Sequence, residues 1–322
     1  MEYKMRLHHN PKLFSDTIRA TSQYFNIIPL FIEKDYWITH VLKRLAQSKY
    51  SEQVVFKGGT SLSKAYRMIN RFSEDIDFAV ISDKTNSGNK IKALIRNIEK
   101  EITEELSPIY IDSISSKGSR FRKSIFEYQS INRSNISNKI IIETNSFANP
   151  YPYSTLDISN FICDFLVRTN NHKYIQEYEL DSFTIKVLDK RQTLIEKLVS
   201  LIRFSFDTEI IISISSKIRH FYDLFYLMSD QECISFINSQ DFLNQFDTIL
   251  NHDRETFDIP NQWQNKPIFT SPLITDFDNI WHKLKQIYTN ELTALAFSPI
   301  PKEKEIADNF KIIINILNEF EA

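Results

Sequence analysis

The chain has 322 residues, 42% hydrophobic and 25% charged, and its 39 Lys and Arg against 41 Asp and Glu leave a formal net charge of -2. That balance, with 13% aromatic residues, excludes a polybasic arm, an acidic tail and a disordered chain. No stretch nears about 18 uninterrupted apolar residues, and Met1 to Asn10 is polar and charged without an apolar signal core, so a soluble, cytoplasmic protein with no membrane span is expected.

Two cysteines, Cys163 and Cys233, sit in apolar helical patterns outside any ligand spacing, which argues against a disulfide or structural zinc. Glycine is scarce. Of only four, Gly58 and Gly59 are adjacent.

In chain order, helical spacing covers Lys12 to Phe25 and Glu33 to Gln47, the latter with Tyr36, Trp37, His40, Val41, Arg44 and Leu45 at three- and four-residue steps. A brief apolar run at Gln53 to Phe56 precedes a helix at Thr60 to Ile69 and an alternating strand at Asp75 to Ile81. A helix is expected at Lys90 to Leu106, then three β-rich runs, Pro108 to Ser115, Ser119 to Ser130 and Lys139 to Phe147. Two prolines within Asn149 to Tyr153 break the pattern.

After a helix near Ile158 to Thr169 and a strand at Phe183 to Leu188, the chain reads helical. The segments are Arg191 to Phe206, Ser215 to Met228, Cys233 to Leu250, Thr275 to Leu295 and Lys302 to Glu319. The expected fold is α+β in two domains, a mixed domain over 1–188 and a helical domain over 189–322, joined by a loop without a flexible linker.

Val54-Val55-Phe56-Lys57-Gly58-Gly59-Thr60-Ser61 reads as a strand, a turn that needs unusual backbone angles, and a helix start. Glycine tolerates positive φ and close approach. Thr60 or Ser61 suits the N-cap, and the free N–H groups of a first turn favour an anion. Neither a Walker nor a GxGxxG spacing is present, so the turn alone is equally consistent with nothing bound.

One helix later, Arg71-Phe72-Ser73-Glu74-Asp75-Ile76-Asp77-Phe78 opens a strand in which Asp75 and Asp77 share a face. Two carboxylates so close share a proton or bind a hard cation such as Mg²⁺. Next to the glycine turn they outline a nucleoside triphosphate site. Glu143, alternating with isoleucines in Lys139-Ile140-Ile141-Ile142-Glu143, is a third acid of the kind two-metal phosphoryl transfer uses; a water-facing strand-end glutamate is the plainer reading.

Two later helices complete the set. In Arg191-Gln192-Thr193-Leu194-Ile195-Glu196-Lys197-Leu198, a leucine stripe leaves Lys197 on its flank. In Arg219-His220-Phe221-Tyr222-Asp223, the spacing puts Arg219, His220 and Asp223 on one face, where a surface ion pair is the simple account. Lys117, Arg120, Arg122 and Lys123, near Phe121 and Phe126, are a candidate basic patch or a solvated hairpin.

FKGGTSLSKAY, RFSEDIDF, the glutamate of IIIET, RQTLIEKLVSL and RHFYDLFYL, in this order, resemble the AbiEii-type toxin nucleotidyltransferases of abortive-infection toxin–antitoxin systems. The resemblance spans roughly Glu33 to Met228. It implies a DNA-polymerase-β-like nucleotidyltransferase core, a helical C-terminal domain closing over the nucleotide, and an antitoxin encoded nearby. Gly58, Gly59, Thr60 and Ser61 match the triphosphate turn, Asp75 and Asp77 the metal pair, and Arg71 and Ser73 the segment leading into it. Glu143 is the loosest match, for the third acid. Lys197 and Asp223 match a lysine and an aspartate that relatives need for activity.

The resemblance thus implies transfer of a nucleoside monophosphate from a nucleoside triphosphate to an acceptor hydroxyl. One or two Mg²⁺ would sit on Asp75, Asp77 and Glu143, and Lys197 would steady the phosphates. RNA is the leading acceptor, the tRNA 3′ end included, in a toxin of phage defence. A small-molecule acceptor, as in aminoglycoside nucleotidyltransferases, and a non-catalytic nucleotide-binding partner of an antitoxin are the alternatives.

Overall fold

The computed structural model describes residues 6–73, 75–81, 87–112, 114–131 and 138–319. Ser113, inside one expected strand, and the first five residues of the polar N-terminal stretch lie outside them. The chain divides into two compact units, Met1–Arg67 with Phe72–Leu188, and Met68–Arg71 with Asp189–Ala322.

The first unit starts with helices α1 (Pro11–Phe25) and α2 (Pro29–Gln47). Each carries a proline in its first turn, and Asn26 in the left-handed region separates them. Strand β1 (Val54–Lys57) runs directly into α3 (Gly58–Lys64), and β2 (Asp75–Val80) follows. Next come α4 (Gly88–Ile102), β3 (Ser107–Ile109), β4 (Ser116–Lys117), β5 (Phe121–Glu127), β6 (Lys139–Asn145) and β7 (Tyr153–Ile158). Helices α5 (Phe161–Arg168) and α6 (His172–Glu177) and strand β8 (Phe183–Leu188) complete the unit.

The strands form one mixed sheet in the order β3-β5-β6-β2-β1-β8-β7, with β4 on β5. β2 lies antiparallel to β1 and parallel to β6. Alternation decides the faces: in β6, Ile140, Ile142 and Thr144 are buried while Ile141 and Glu143 are half-exposed. In β2, Ile76 and Phe78 are fully buried and Asp75 and Asp77 half-exposed. α4 packs on β6, burying Ile91, Ile95, Ile98 and Ile102, and α2 packs on α4 and β8. A fully buried isoleucine of this kind contributes about 1.5–3 kcal/mol.

The second unit is built on α7 (Lys190–Ser205), which touches α8 (Ile210–Ser215), α9 (Arg219–Leu227), α10 (Gln231–Ile237), α11 (Gln240–Thr256) and α12 (Pro272–Thr275). Helices α13 (Phe277–Leu295) and α14 (Glu303–Glu319) close its core, where Phe221 meets Trp281 at 5.2 Å and Phe310 at 4.9 Å between ring centroids. Met68–Arg71 is tied in by a bridge between Arg71 and Ala296, by the Phe297 N–H donating to the Asn70 carbonyl (3.0 Å), and by the Asn70 N–H reaching the Tyr222 hydroxyl (3.3 Å).

The fold is the expected α+β arrangement with a helical C-terminal region. Several local readings differ: the helix expected over Thr60 to Ile69 is α3 and ends at Lys64, and only α9 forms within Ser216 to Met228. β7, at a sheet edge, has a single buried residue, Ile158, and so shows no buried alternation to read. The Pro108 to Ser115 run keeps only β3 as strand. The Cys233 to Leu250 helix is two, because Ser239 caps α11 by accepting from the Phe242 N–H (3.3 Å). Cys163 and Cys233 are both buried and free, and burial pushes their thiols up to about 11 and about 12. No helix among the described residues is long and apolar enough to cross a membrane.

Candidate active site

In the first unit, the glycine turn and the paired aspartates come together at the ends of neighbouring strands. Lys57, the last residue of β1, faces Asp77 across the β1–β2 pair, and Gly58 follows with φ +81°. A Cβ at Gly58 would stand 2.1 Å from Asp77 Oδ2. Only glycine therefore fits, for its backbone angle and for its proximity to the carboxylate.

Thr60 and Ser61 are not N-caps. Helix α3 begins at Gly58, Lys57 holds the cap position without a side-chain bond, and both hydroxyls are buried. Thr60 Oγ1 donates to the Asp75 carbonyl, and Ser61 Oγ donates to the Gly58 carbonyl (2.8 Å). Their hydrogens hold the turn in shape and tie it to β2. Ser73 is also buried, and its Oγ accepts a long bond from the Asp75 N–H (3.5 Å).

Glu143 faces Asp77 in the parallel β2–β6 register, so all three carboxylates lie on one face of the sheet. They do not converge fully. Among the described residues, His8, His9 and Glu105 alone form a set of three ligand atoms all within 4.8 Å of one another. Glu143 is instead paired with Lys123, its neighbour across β5–β6. Burial would lower the Lys123 ammonium, but Glu143, with Asp75 and Asp77 adding charge, outweighs it and raises the pKa. Lys123 is thus one cation that balances the acidic face.

The basic patch expected around Lys123 divides between the two faces of the sheet. Arg122, pointing the other way, pairs with Glu99 of α4 at 2.7 Å.

A second polar cluster supports the turn from behind, and sequence reading missed it. Glu33, Lys34 and Asp35 are all buried on α2, although a run of three charges normally marks a solvated face. Asp35 accepts from Lys64 Nζ, at the end of α3 (2.6 Å), and from the Phe161 N–H (2.8 Å); Lys64 also donates to the Ser159 carbonyl (2.6 Å). Burial raises the Asp35 pKa in spite of Lys64. Glu33 accepts from the Ile131 N–H (2.8 Å). The available signal was three charges in a helix whose Tyr36, Trp37 and Ile38 continue without a polar face.

In the second unit, Asp223 is fully buried on α9 and accepts two bonds from Arg71, Nε to Oδ1 at 2.7 Å and Nη2 to Oδ2 at 2.6 Å. Lys197 Nζ, on α7, reaches Oδ2 at 2.7 Å. Burial pushes the carboxyl up, but Arg71 and then Lys197 outweigh it and hold the pKa well below the usual carboxylate range. The surface ion pair that helix spacing alone offers Arg219 and Asp223 does not form, since Arg219 pairs with Glu291 at 3.2 Å. His220 Nδ1 is buried without a partner, and burial together with Lys197 lowers its pKa far below the ordinary imidazole value.

Carboxylates with hard oxygen donors on one face, next to a turn that admits only backbone, are a donor set that suits Mg²⁺. Asp75, Asp77 and Glu143 would hold it, with Glu143 released from Lys123. The chain matches, over residues 40–299, the model of the family described as nucleotidyl transferase AbiEii toxin, type IV TA system. Its fold is similar to that of MenT4, a nucleotidyltransferase toxin from Mycobacterium tuberculosis, at a TM-score of 0.55 and 16% identity, covering 92% of this chain and 89% of that one. No curated protein matches it.

Proposed function

This chain belongs to the AbiEii family of nucleotidyltransferase toxins of type IV toxin–antitoxin systems, and on that premise we propose that a hydroxyl of RNA, with the tRNA 3′ end as the leading acceptor, attacks the α-phosphorus of a nucleoside triphosphate, taking the nucleoside monophosphate and releasing pyrophosphate and the hydroxyl proton. The observation that carries the proposal is the approach of Gly58 to Asp77, which sets the glycine turn directly against the carboxylate pair. Gly58 and Gly59 would face the triphosphate, and Thr60, Ser61 and Ser73 would hold the turn and the start of β2 in shape.

Mg²⁺, when bound, supplies the charge that aligns the reactants and offsets the developing negative charge. Asp75 and Asp77 would hold that ion, since bare carboxylates would repel the phosphates. Lys123, held on Glu143, keeps the acidic face balanced until the substrate arrives. Lys197 is our candidate for steadying the phosphates, with Asp223 and Arg71 fixing its ammonium, so that its pairing with Asp223 is a positioning contact. Neutralisation by a cognate antitoxin follows the family's system type, and action in the cytoplasm is part of the same reading.

The test incubates the purified protein with Mg²⁺, each labelled nucleoside triphosphate and total RNA, alongside Asp75→Ala and Asp77→Ala. Label on RNA that disappears in both variants is expected. Label that persists in both would sink the site assignment, and label only on small molecules would move the acceptor to that class.

A further inference from the structure

The sheet face opposite the carboxylates carries a groove of about 990 Å³ between α4 and the β3, β4 and β5 edge. Four of the five cations that line it have no ion-pair partner among the described residues. Lys92, Arg96 and Lys100 recur at steps of four along α4 and so form one exposed ridge, about 12 Å from first to last. Lys49 and Lys117 flank the groove, also exposed. None of these five is ion-paired with a described residue. The groove's acids are mostly neutralised, Glu99 by Arg122 and Glu104 by Arg44, which leaves Glu101 against Lys49, Arg96, Lys100 and Lys117.

An aromatic ring stands on the groove's far wall. Tyr110 is 64% exposed, with Lys117 Nζ 5.2 Å from its ring centroid. Lysine is depleted in protein–protein interfaces, whereas a run of cations beside an open tyrosine suits phosphates with a stacked base. In a chain of net charge -2, this concentration of positive charge is local.

We propose that the α4 ridge and this groove bind the body of a structured RNA acceptor, with Tyr110 stacking on an unpaired base. The proposal rests on the reading of RNA as acceptor. Because the carboxylates occupy the other face, an RNA engaging both must be large enough to reach around the sheet edge. A short oligonucleotide would meet the site without the groove.

The experiment measures binding of fluorescently labelled bulk tRNA over a salt series, and nucleotidyl transfer to bulk tRNA and to a short single-stranded oligoribonucleotide. It compares the wild type with Lys92→Glu/Arg96→Glu/Lys100→Glu and with Tyr110→Ala. The triple variant should lose tRNA affinity by roughly tenfold or more and shallow the salt dependence by about 2 units of log K against log salt. Its KM for tRNA should rise while kcat on the oligonucleotide is unchanged. Tyr110→Ala should weaken binding at every salt concentration with the slope kept.

Circular dichroism and unfolding curves that match the wild type exclude misfolding as the cause. Wild-type affinity and slope in both variants overturn the proposal. If the wild type binds tRNA through this ridge but labels no RNA, the acceptor reading fails and the groove remains a polyanion site. If it labels tRNA and the variants behave as wild type, the groove alone fails.

Discussion

Asp223→Asn keeps the shape of a fully buried side chain and removes its charge, leaving the Arg71 guanidinium and the Lys197 ammonium, 3% and 6% exposed, without their counter-ion. Breaking a buried ion pair by removing one partner costs about 3–5 kcal/mol. The helical unit has about 140 residues. At about 2.1 cal/mol/K per residue, the Tm should fall by roughly 10–15 °C if that unit unfolds alone and by about 5 °C if the whole chain unfolds together.

Calorimetry, with urea unfolding as a second measure, reads the loss. Adding Lys197→Met removes one of the two stranded cations, so Asp223→Asn/Lys197→Met should be more stable than Asp223→Asn alone. The sign of the pH effect follows the same charges. The folded carboxyl ionises at lower pH than the unfolded one, so its contribution is complete above the unfolded value near pH 4 and is lost as pH falls further. Asp223→Asn should flatten that acid limb. A variant within about 0.5 kcal/mol of the wild type, or a double variant destabilised by the sum of the singles, would refute the reasoning.

Gly58→Ala puts a Cβ 2.1 Å from Asp77 Oδ2 at a φ of +81°; about 1–2 kcal/mol of backbone strain and a displaced carboxylate should leave a folded protein with transfer reduced by roughly a hundredfold, measured with labelled nucleotide. Lys123→Gln removes the ammonium from Glu143, so the acidic face should bind Mn²⁺ more tightly by about fivefold, roughly 1 kcal/mol, read by thermal shift against metal concentration. Lys64→Met removes the cation beside buried Asp35, whose pKa burial already raises; the Asp35 pKa should then rise further, and unfolding curves should show destabilisation of about 2–4 kcal/mol. His220 has a lowered pKa and the unfolded imidazole binds its proton below about pH 6.5, so stability should fall as pH drops through that value, and His220→Gln should remove that part of the slope.

The pattern of β2 is readable because the strand alternates buried isoleucine and phenylalanine with Asp75 and Asp77, and that of β6 because Glu143 breaks an isoleucine run on its outward face, a period of two that survives without tertiary context. Gly58 was readable from scarcity, and its contact with Asp77 explains why scarcity ended there. What spacing could not show is partnership across long separations. Asp223 looked like a surface residue beside Arg219 because neighbours on a helix are all that local spacing offers; its real partner, Arg71, is 152 residues away. The same limit hid Lys64 with Asp35 and Lys123 with Glu143. Glu33, Lys34 and Asp35 were passed over because charge on a helix ordinarily means solvent, and only a partner from another element reverses that rule.

The four residues Met68–Arg71 leave the first unit, join the second and return. The polypeptide therefore passes between the two units three times, and no single cut yields both intact. A fragment ending at Leu188 takes Arg71 with it and strips Asp223 of its bidentate partner; the complementary piece from Asp189 keeps Lys197 and a buried carboxylate one cation short. The covalent path matters too, because Arg71 stands four residues before Asp75. Recombination between relatives at the apparent seam would pair one protein's arginine with another's aspartate, so exchanges that carry residues 68–71 along with the helical half should yield the active hybrids.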